Sequence, residues 1–557
     1  MNTLTMTYLP ETGADGRARA IALANLSLTD ATPTSVVEFV SRGRCVVVGA
    51  EADALNFVHE LRGQLDCCVL VPDDAPPVVD KVQGTFVVRG GRPGIRGALG
   101  NFEITLFSAP TNRNLGTLVT PATERFDLVV DLGTPPLLRQ AMLPLGYSAP
   151  GLDPIKRAAL LGSLPQMQGE FEKPQYFNYN PEICAHGRSG KRGCTLCIDL
   201  CPAEAIVSIG GTVQVNPFLC QGGGACATAC PSGAMTYAYP KASNLLEALR
   251  RLLRVYDESG GAAPGLLFHD ASAAGTLEQV LAGNMPERLL PVAIEEIGSV
   301  GMETWLACFA FGAHAIVVLT SDATPPQVVD ALQGQIATTK ALLRGMGYAE
   351  NRLGMVNSDQ PAAAITALSA LPVAPSRPAN FAAPAGDKRG TLRLALMHLQ
   401  AHAPDQALVT PLQTGAPFGE VMVDAAACTL CMSCVSACPT HALLDGRGLP
   451  QLQFREWNCV QCGLCERTCP ENAITLNPRF LHQSEERERP RVLHEEPPVC
   501  CVSCGKPFAT RKMLDKLTSK LAGHWMFQTD EARRRVQMCG DCRVRDLFTA
   551  EAHRQDG

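Results

Sequence analysis

Cysteine is the residue type through which this chain can do chemistry. It has 24 of them in 557 residues, and nineteen fall into three groups between positions 184 and 542. In the middle group, Cys428-x2-Cys431-x2-Cys434-x3-Cys438-Pro439 is followed, after twenty residues, by Cys459-x2-Cys462-x2-Cys465-x3-Cys469-Pro470. An iron–sulfur cube needs four thiolates converging on one centre. The two-residue gaps wrap a loop so that three sulfurs point inward, and the fourth cysteine, expected at the start of a short helix, ligates the other cluster. One [4Fe–4S] cluster is thereby assigned to Cys428, Cys431, Cys434 and Cys469, and a second to Cys459, Cys462, Cys465 and Cys438. Paired zinc sites would not repeat these gaps or end in Cys-Pro.

The first group departs from this pattern twice. Cys194-x2-Cys197-x3-Cys201-Pro202 keeps the end of a run but has Lys191 where its first cysteine belongs, and Cys184 can supply that thiolate if His186–Gly193 loops out. The second half, Cys220-x5-Cys226-x3-Cys230-Pro231, has Gly223 at the middle cysteine position. Crossed ligation gives a complete [4Fe–4S] site of Cys184, Cys194, Cys197 and Cys230, and a site of only three thiolates, Cys201, Cys220 and Cys226. Three ligands suit a [3Fe–4S] cluster. A [4Fe–4S] cluster with water or a borrowed ligand at the open corner, and an empty vestigial site with Gly222–Gly224 filling space, are the alternatives. The loop His186-Gly-Arg-Ser-Gly-Lys-Arg192 is basic; it is either an exposed insertion or a docking patch for an acidic partner.

In the last group, Cys501-x2-Cys504 and Cys539-x2-Cys542 make two knuckles, each with a glycine after a cysteine (Gly505, Gly540). Two tight turns brought together give a tetrahedral S4 site, which suits zinc better than redox dithiols. Cys45, Cys67, Cys68, Cys308 and Cys500 read as ordinary small apolar residues or bystanders.

The elements that must position these groups divide the chain into a multidomain α/β plus α+β protein. Residues 36–163 read as an α/β domain, with strands at Arg44–Gly49, Asp66–Val71 and Phe126–Asp131 and a helix presenting Leu55, Val58 and Leu61. A modified dicluster ferredoxin-like module follows at 164–241. A second α/β domain spans 242–371, with strands near Leu266–Phe268, Leu289–Ile294 and Ala315–Leu319 and a long helix carrying Val328, Leu332, Ile336 and Leu343. Composition makes 372–417 a linker. The second ferredoxin-like dicluster module occupies 418–481, closed by strands at VMVD and AITLNP. The strip Glu485–Pro490 reads as a solvated connector, and 498–550 as a zinc-ribbon-like module. Gly49-Ala-Glu-Ala-Asp-Ala54 sits where a dinucleotide fold would hold its glycine turn, but Glu51 would repel a phosphate, so the unit reads as structural.

A hydrophobic content of 46%, 18% charge, a net charge of −6 and a pI near 6.0 describe a globular chain and exclude nucleic acid as the expected partner. The longest apolar stretch, Trp305–Leu319, is too short for a membrane span, so no membrane insertion is expected. The opening MNTLTMTYLPETGADGRARA lacks an export pattern, and a cytoplasmic location is expected.

The segment 428–470 resembles the bacterial two-cluster ferredoxins, and Cys220–Pro231 is similar to the three-iron site of the succinate dehydrogenase iron–sulfur subunit. Residues 264–357 resemble the small iron–sulfur subunit of methyl-viologen-reducing hydrogenases, in the order Leu289–Ile294, Ala307–Gly312, Ala313–Val318, Leu343–Gly347 and Glu350–Leu353. That family's cluster cysteines are missing here, since only Cys308 lies in the region. With Gly169–Pro174 ahead of the first run, the whole layout resembles the large multi-cluster ferredoxins that accompany formate dehydrogenases. The resemblance implies a protein relaying single electrons between a dehydrogenase and an acceptor. No nucleophile–base pair, phosphate loop or substrate motif is present, so no intrinsic catalysis is expected. A maturation or assembly factor for a metalloenzyme, or a subunit of a larger flavin/iron–sulfur oxidoreductase, are the other readings.

Overall fold

The computed structural model describes residues 13–26, 33, 35–119, 124–188, 190–282, 285–357, 360–371, 378–382 and 387–555. The first twelve residues of the opening segment, and 372–377 and 383–386 of the expected linker, lie outside the described residues.

Cys45-Val-Val-Val48 is 0–2% exposed throughout. An unbroken apolar run of this kind suits a strand covered on both faces. Strand Arg44–Val48 accordingly sits inside an eight-stranded sheet, parallel to Asp66–Val71 on one side and Leu128–Asp131 on the other. The long strand Thr85–Arg96 extends the sheet and pairs antiparallel with Asp73–Val82 and Glu103–Phe107. Glu51, in helix Glu51–Glu60, grips Arg89 with both oxygens at 2.6 and 2.7 Å, and Asp53 grips Arg157 at 2.8 Å twice. The acidic helix start is thus occupied by arginines of its own domain. Strand Val36–Ser41 pairs antiparallel with Gly169–Pro174, so a ladder crosses the boundary read at 163.

The second α/β domain is a four-stranded parallel sheet in the order Leu289–Ala293, Gly265–His269, Ala315–Leu319, Leu353–Val356. The apolar stretch 305–319 divides into helix Met302–Ala310 and one of these strands. Cys308 is fully buried in that helix. Helix Ala242–Glu258 buries Leu245, Leu246, Leu249, Leu252, Leu253 and Tyr256 along one face. An unforeseen helix, Ala14–Ala24, packs on it, and the Tyr256 hydroxyl donates to Asp15 at 2.7 Å.

Two segments with the composition of connectors are folded elements. The stretch 372–417, read as a linker, contains helix Lys388–Ala401, which packs against Met302–Ala310, and strand Val409–Pro411, which joins the second ferredoxin sheet. Its Leu392, Ala395, Leu396 and Leu399 recur at helical spacing and are at most 5% exposed, a pattern that the surrounding proline and alanine obscure. The charged strip is helix Ser484–Glu488, whose Arg487 is 2% exposed and stacks over Trp457 and Phe480 at 4.9 and 4.6 Å. Strand Arg491–Glu495 then returns to pair with Gln451–Phe454. The sheet expected from VMVD and AITLNP forms as Gly419–Val423 against Ile474–Leu481, with Val421 opposite Leu476.

Candidate metal centres

In each cysteine loop of 428–469 the second and fourth residues after the first cysteine are left-handed: Leu430 (φ 54°) and Met432 (58°), then Gln461 (54°) and Gly463 (79°). Two reversals in five residues curl the backbone round one centre. Cys428, Cys431, Cys434 and Cys469 line a single cavity. Cys465 is raised by burial and then by Cys459, Cys462 and Cys438, with Cys434 of the neighbouring set next. The fourth cysteines close short helices rather than open them: Cys438 follows Ser433–Ala437 and Cys469 follows Leu464–Thr468. Each then accepts an amide, from Ala442 at 3.2 Å and Ala473 at 3.3 Å. Such bonds tune a cluster's potential.

The first module repeats the geometry. Cys201 and Cys230 accept amides from Ala205 and Met235, both at 3.3 Å. Burial pushes Cys194 and Cys197 up to about 12, and the neighbouring thiolates add to it: Cys230 and Cys184 for both, with Cys462 also acting on Cys194. Crowded buried thiols of this sort ionise only around a cation-rich group, which an iron–sulfur cluster supplies. Cys201, Cys220 and Cys226 line a second cavity. The insertion 186–193 is a hairpin of Gly187–Arg188 with Lys191–Arg192, pinned by a buried His186 whose ring nitrogens meet Cys194 O at 2.9 Å and Ser208 Oγ at 2.6 Å.

This hairpin faces the other module. Arg467 donates to the carbonyls of Arg192 and Gly193, and Leu464 packs on Gly193, where an added Cβ would lie 2.6 Å from Leu464 Cγ and 2.4 Å from Ala185 O. The contact places the loop of Cys194 against that of Cys462. Helix Lys388–Ala401 braces it: Lys388 Nζ donates to the carbonyls of Ala227 and Thr228 in the first module. Arg389 donates to Pro417 and Trp457 and lies 5.0 Å from the Phe418 and Trp457 ring centres in the second. Burial lowers Arg389 to about 10, with Cys459 opposing that shift. A guanidinium beside Cys459 favours a reduced, more negative cluster. Replacing Gly193 with Val should wedge the modules apart at a cost of about 1–3 kcal/mol. Thermal unfolding would show the loss, and EPR of the reduced protein would show weaker coupling between clusters at unchanged iron content.

At the C-terminus the sulfurs of Cys501, Cys504, Cys539 and Cys542 all lie within 4.8 Å of one another. Desolvation raises the Cys501 thiol, but the amides of Cys539, Cys504 and Ser503 outweigh it and hold it down at about 6. The first knuckle lies at hairpin Pro498–Cys500 with Pro507–Thr510, and Gly505 has φ 75°. The second knuckle departs from a ribbon, because Gly540 opens helix Gly540–Gln555 and Cys542 lies in its first turn. Cys500 is exposed and outside the group.

Residues 427–474 match the 4Fe-4S dicluster domain family, and residues 213–236 match the 4Fe-4S binding domain family. The chain therefore carries two ferredoxin-type 4Fe–4S domains. Among curated proteins, the pyruvate synthase subunit PorD of Thermotoga maritima is 37% identical over 59 residues, 11% of this chain and 59% of the relative. The chain thus spans somewhat over half of that relative's length. Among the described residues no helix is long and apolar enough to cross a membrane.

Arg389, Arg467 and Leu464 escaped the sequence reading. Their roles come from packing between segments far apart in the chain, and no local spacing marks them.

Proposed function

We propose that this chain carries single electrons between a dehydrogenase and an acceptor protein along four iron–sulfur centres held in one series. The order is Cys201/Cys220/Cys226, then Cys184/Cys194/Cys197/Cys230, then Cys438/Cys459/Cys462/Cys465, then Cys428/Cys431/Cys434/Cys469. The observation that carries the reading is the abutment of the Cys194 and Cys462 loops, which makes two dicluster modules continuous. Bound clusters supply one-electron chemistry. The protein's part is to fix their spacing and set their potentials through amide bonds to sulfur and through Arg389. The three-thiolate centre is a three-iron cluster if its corner is bare and a four-iron cluster if another residue closes it. The zinc-binding tetrad is structural.

The domain at 242–371, whose single cysteine Cys308 is buried, is a scaffold that keeps the hydrogenase-subunit order without its cluster. Formate dehydrogenase is the donor suggested by the layout and by Gly169–Pro174, and the pyruvate synthase relative supports the electron-carrying part alone. Anaerobic stopped-flow with formate dehydrogenase and formate should bleach the visible iron–sulfur absorbance within the enzyme's turnover time. Bleaching no faster than without formate would exclude that donor, and the same null result with other dehydrogenases would exclude a carrier role.

A further inference from the structure

We infer that Met142 closes the open corner of the three-cysteine centre, its thioether sulfur ligating a fourth iron there. The inference rests on the reading of Cys201, Cys220 and Cys226 as cluster ligands.

The loop after Cys220 has the backbone of a complete cluster loop. Its second and fourth residues, Gly222 (φ 82°) and Gly224 (75°), take the left-handed conformations seen at Leu430 and Met432 and at Gln461 and Gly463. Position 223 therefore stands where Cys431 and Cys462 stand in the complete loops, but it carries no side chain. A Cβ built on Gly223 would lie 3.1 Å from Met142 Sδ and 3.2 Å from Pro202 Cγ. The space into which a cysteine at 223 would grow is thus already taken by a sulfur from elsewhere in the chain.

Met142 lines the same cavity as Cys201, Cys220 and Cys226. That cavity, at about 20 Å³, matches the four-cysteine cavity of Cys428, also about 20 Å³, so it is no tighter than that of a complete cluster loop. The methionine is also held in place. Its N–H donates to Pro202 O at 2.9 Å, next to the ligand Cys201. Its loop is anchored upstream, where Asp131 accepts from Leu137 N and the Tyr147 hydroxyl, both at 2.6 Å, and Leu138 N donates to the Tyr147 hydroxyl at 3.2 Å. Thioether sulfur is a soft ligand of the kind that iron–sulfur chemistry accepts. Being neutral, it leaves the cluster one charge less negative than four thiolates would, which raises its potential.

The test uses the full chain, reconstituted anaerobically with iron and sulfide, and reads iron content and EPR after mild oxidation. Wild type should lack the signal of an oxidised three-iron cluster. Met142→Leu, nearly equal in volume, should lose about one iron atom per chain and gain that signal. Met142→Ala/Gly223→Cys should restore the iron and remove the signal again. The corner assignment is overturned if wild type itself shows the three-iron signal, if Met142→Leu changes neither readout, or if the double variant fails to regain iron. Cys220→Ala probes the ligand set underneath and should remove this cluster entirely. An unchanged iron count in Cys220→Ala overturns both statements, whereas a loss there beside an unchanged Met142→Leu overturns only the role of Met142.

Discussion

Replacing Cys197 with Ala should take about four iron atoms from each chain and leave the other three centres in place. The thiol is raised by burial and then by Cys230, Cys194 and Cys184, the cysteines that share with it the centre proposed beside the module contact. Cys230→Ala should therefore have the same effect as Cys197→Ala, although Cys230 ends the run that contains Cys220 and Cys226. Cys226→Ala should remove a different centre, since Cys226 lines one cavity with Cys220 and Cys201. Iron analysis with EPR of the reduced protein distinguishes these patterns. If Cys230→Ala and Cys226→Ala gave matching losses distinct from that of Cys197→Ala, crossed ligation would be wrong. In a relay, the Cys197→Ala chain should also stop passing electrons from one module to the other, because the lost centre is the one that faces Cys462.

Removing the zinc proposed for the C-terminal tetrad should unfold residues 498–555 as a unit. The apolar core there is small: Cys501, Met538 and Cys539 are buried with Phe508 and Cys542 packed against them, and Ala509, Leu514 and Ala532 are buried beside this cluster, so the four thiols sit at its centre. A unit of this size does not hold together on so little apolar contact. Structural zinc supplies about 10–16 kcal/mol of apparent binding energy in comparable peptides. A strong chelator, or Cys539→Ser, should open the lysine- and arginine-rich helices Arg511–Leu521 and Asp530–Val536 to trypsin while the iron content stays constant. The effect should spread to one neighbour. Thr510 donates to Thr429 O at 3.4 Å, Lys512 donates to Ala425 O at 2.9 Å, and Lys516 pairs with Glu471, so the Cys428 loop would lose its cover. A metal-free chain still resistant to trypsin in this region would remove the tetrad's structural role.

The ferredoxin-type domains could be read from the sequence because cysteine spacing is a local property, set within a loop of a few residues. The buried strands were equally legible, since Cys45–Val48 and Ala315–Leu319 are apolar runs that little else explains. Other elements were hidden for definite reasons. Helix Lys388–Ala401 has an apolar stripe diluted by small residues next to a proline-rich stretch. Helix Ala14–Ala24 buries Gly16, Ala18, Arg19, Ala22 and Leu23, small residues and one arginine beside a single leucine, so its pattern is weak until Tyr256 and helix Ala242–Glu258 are set beside it. Arg487 reads as part of a charged strip because sequence does not show that two aromatic rings wait for it. The basic hairpin at 186–192 has the composition of an exposed insertion or docking patch, yet its near face meets Arg467 and Leu464 of the same chain. Glu51 at a helix start is a charge hostile to phosphate; its partner in the fold is Arg89, thirty-eight positions away.

Consecutive residues Lys388 and Arg389 each take hold of a different ferredoxin module, by backbone carbonyls and aromatic faces. The Lys388 side chain is only 8% exposed, and it is paired with Glu303 at 3.5 Å. Mobile ions screen charges in the open over about 8 Å at physiological strength, but they have little access to groups enclosed in this way. The distance between the two modules is therefore set independently of ionic strength, whereas an encounter with an outside protein through surface charge is not. For the relay proposed above, added salt should leave the passage of an electron between the modules unchanged, whatever it does to the encounter with an outside partner.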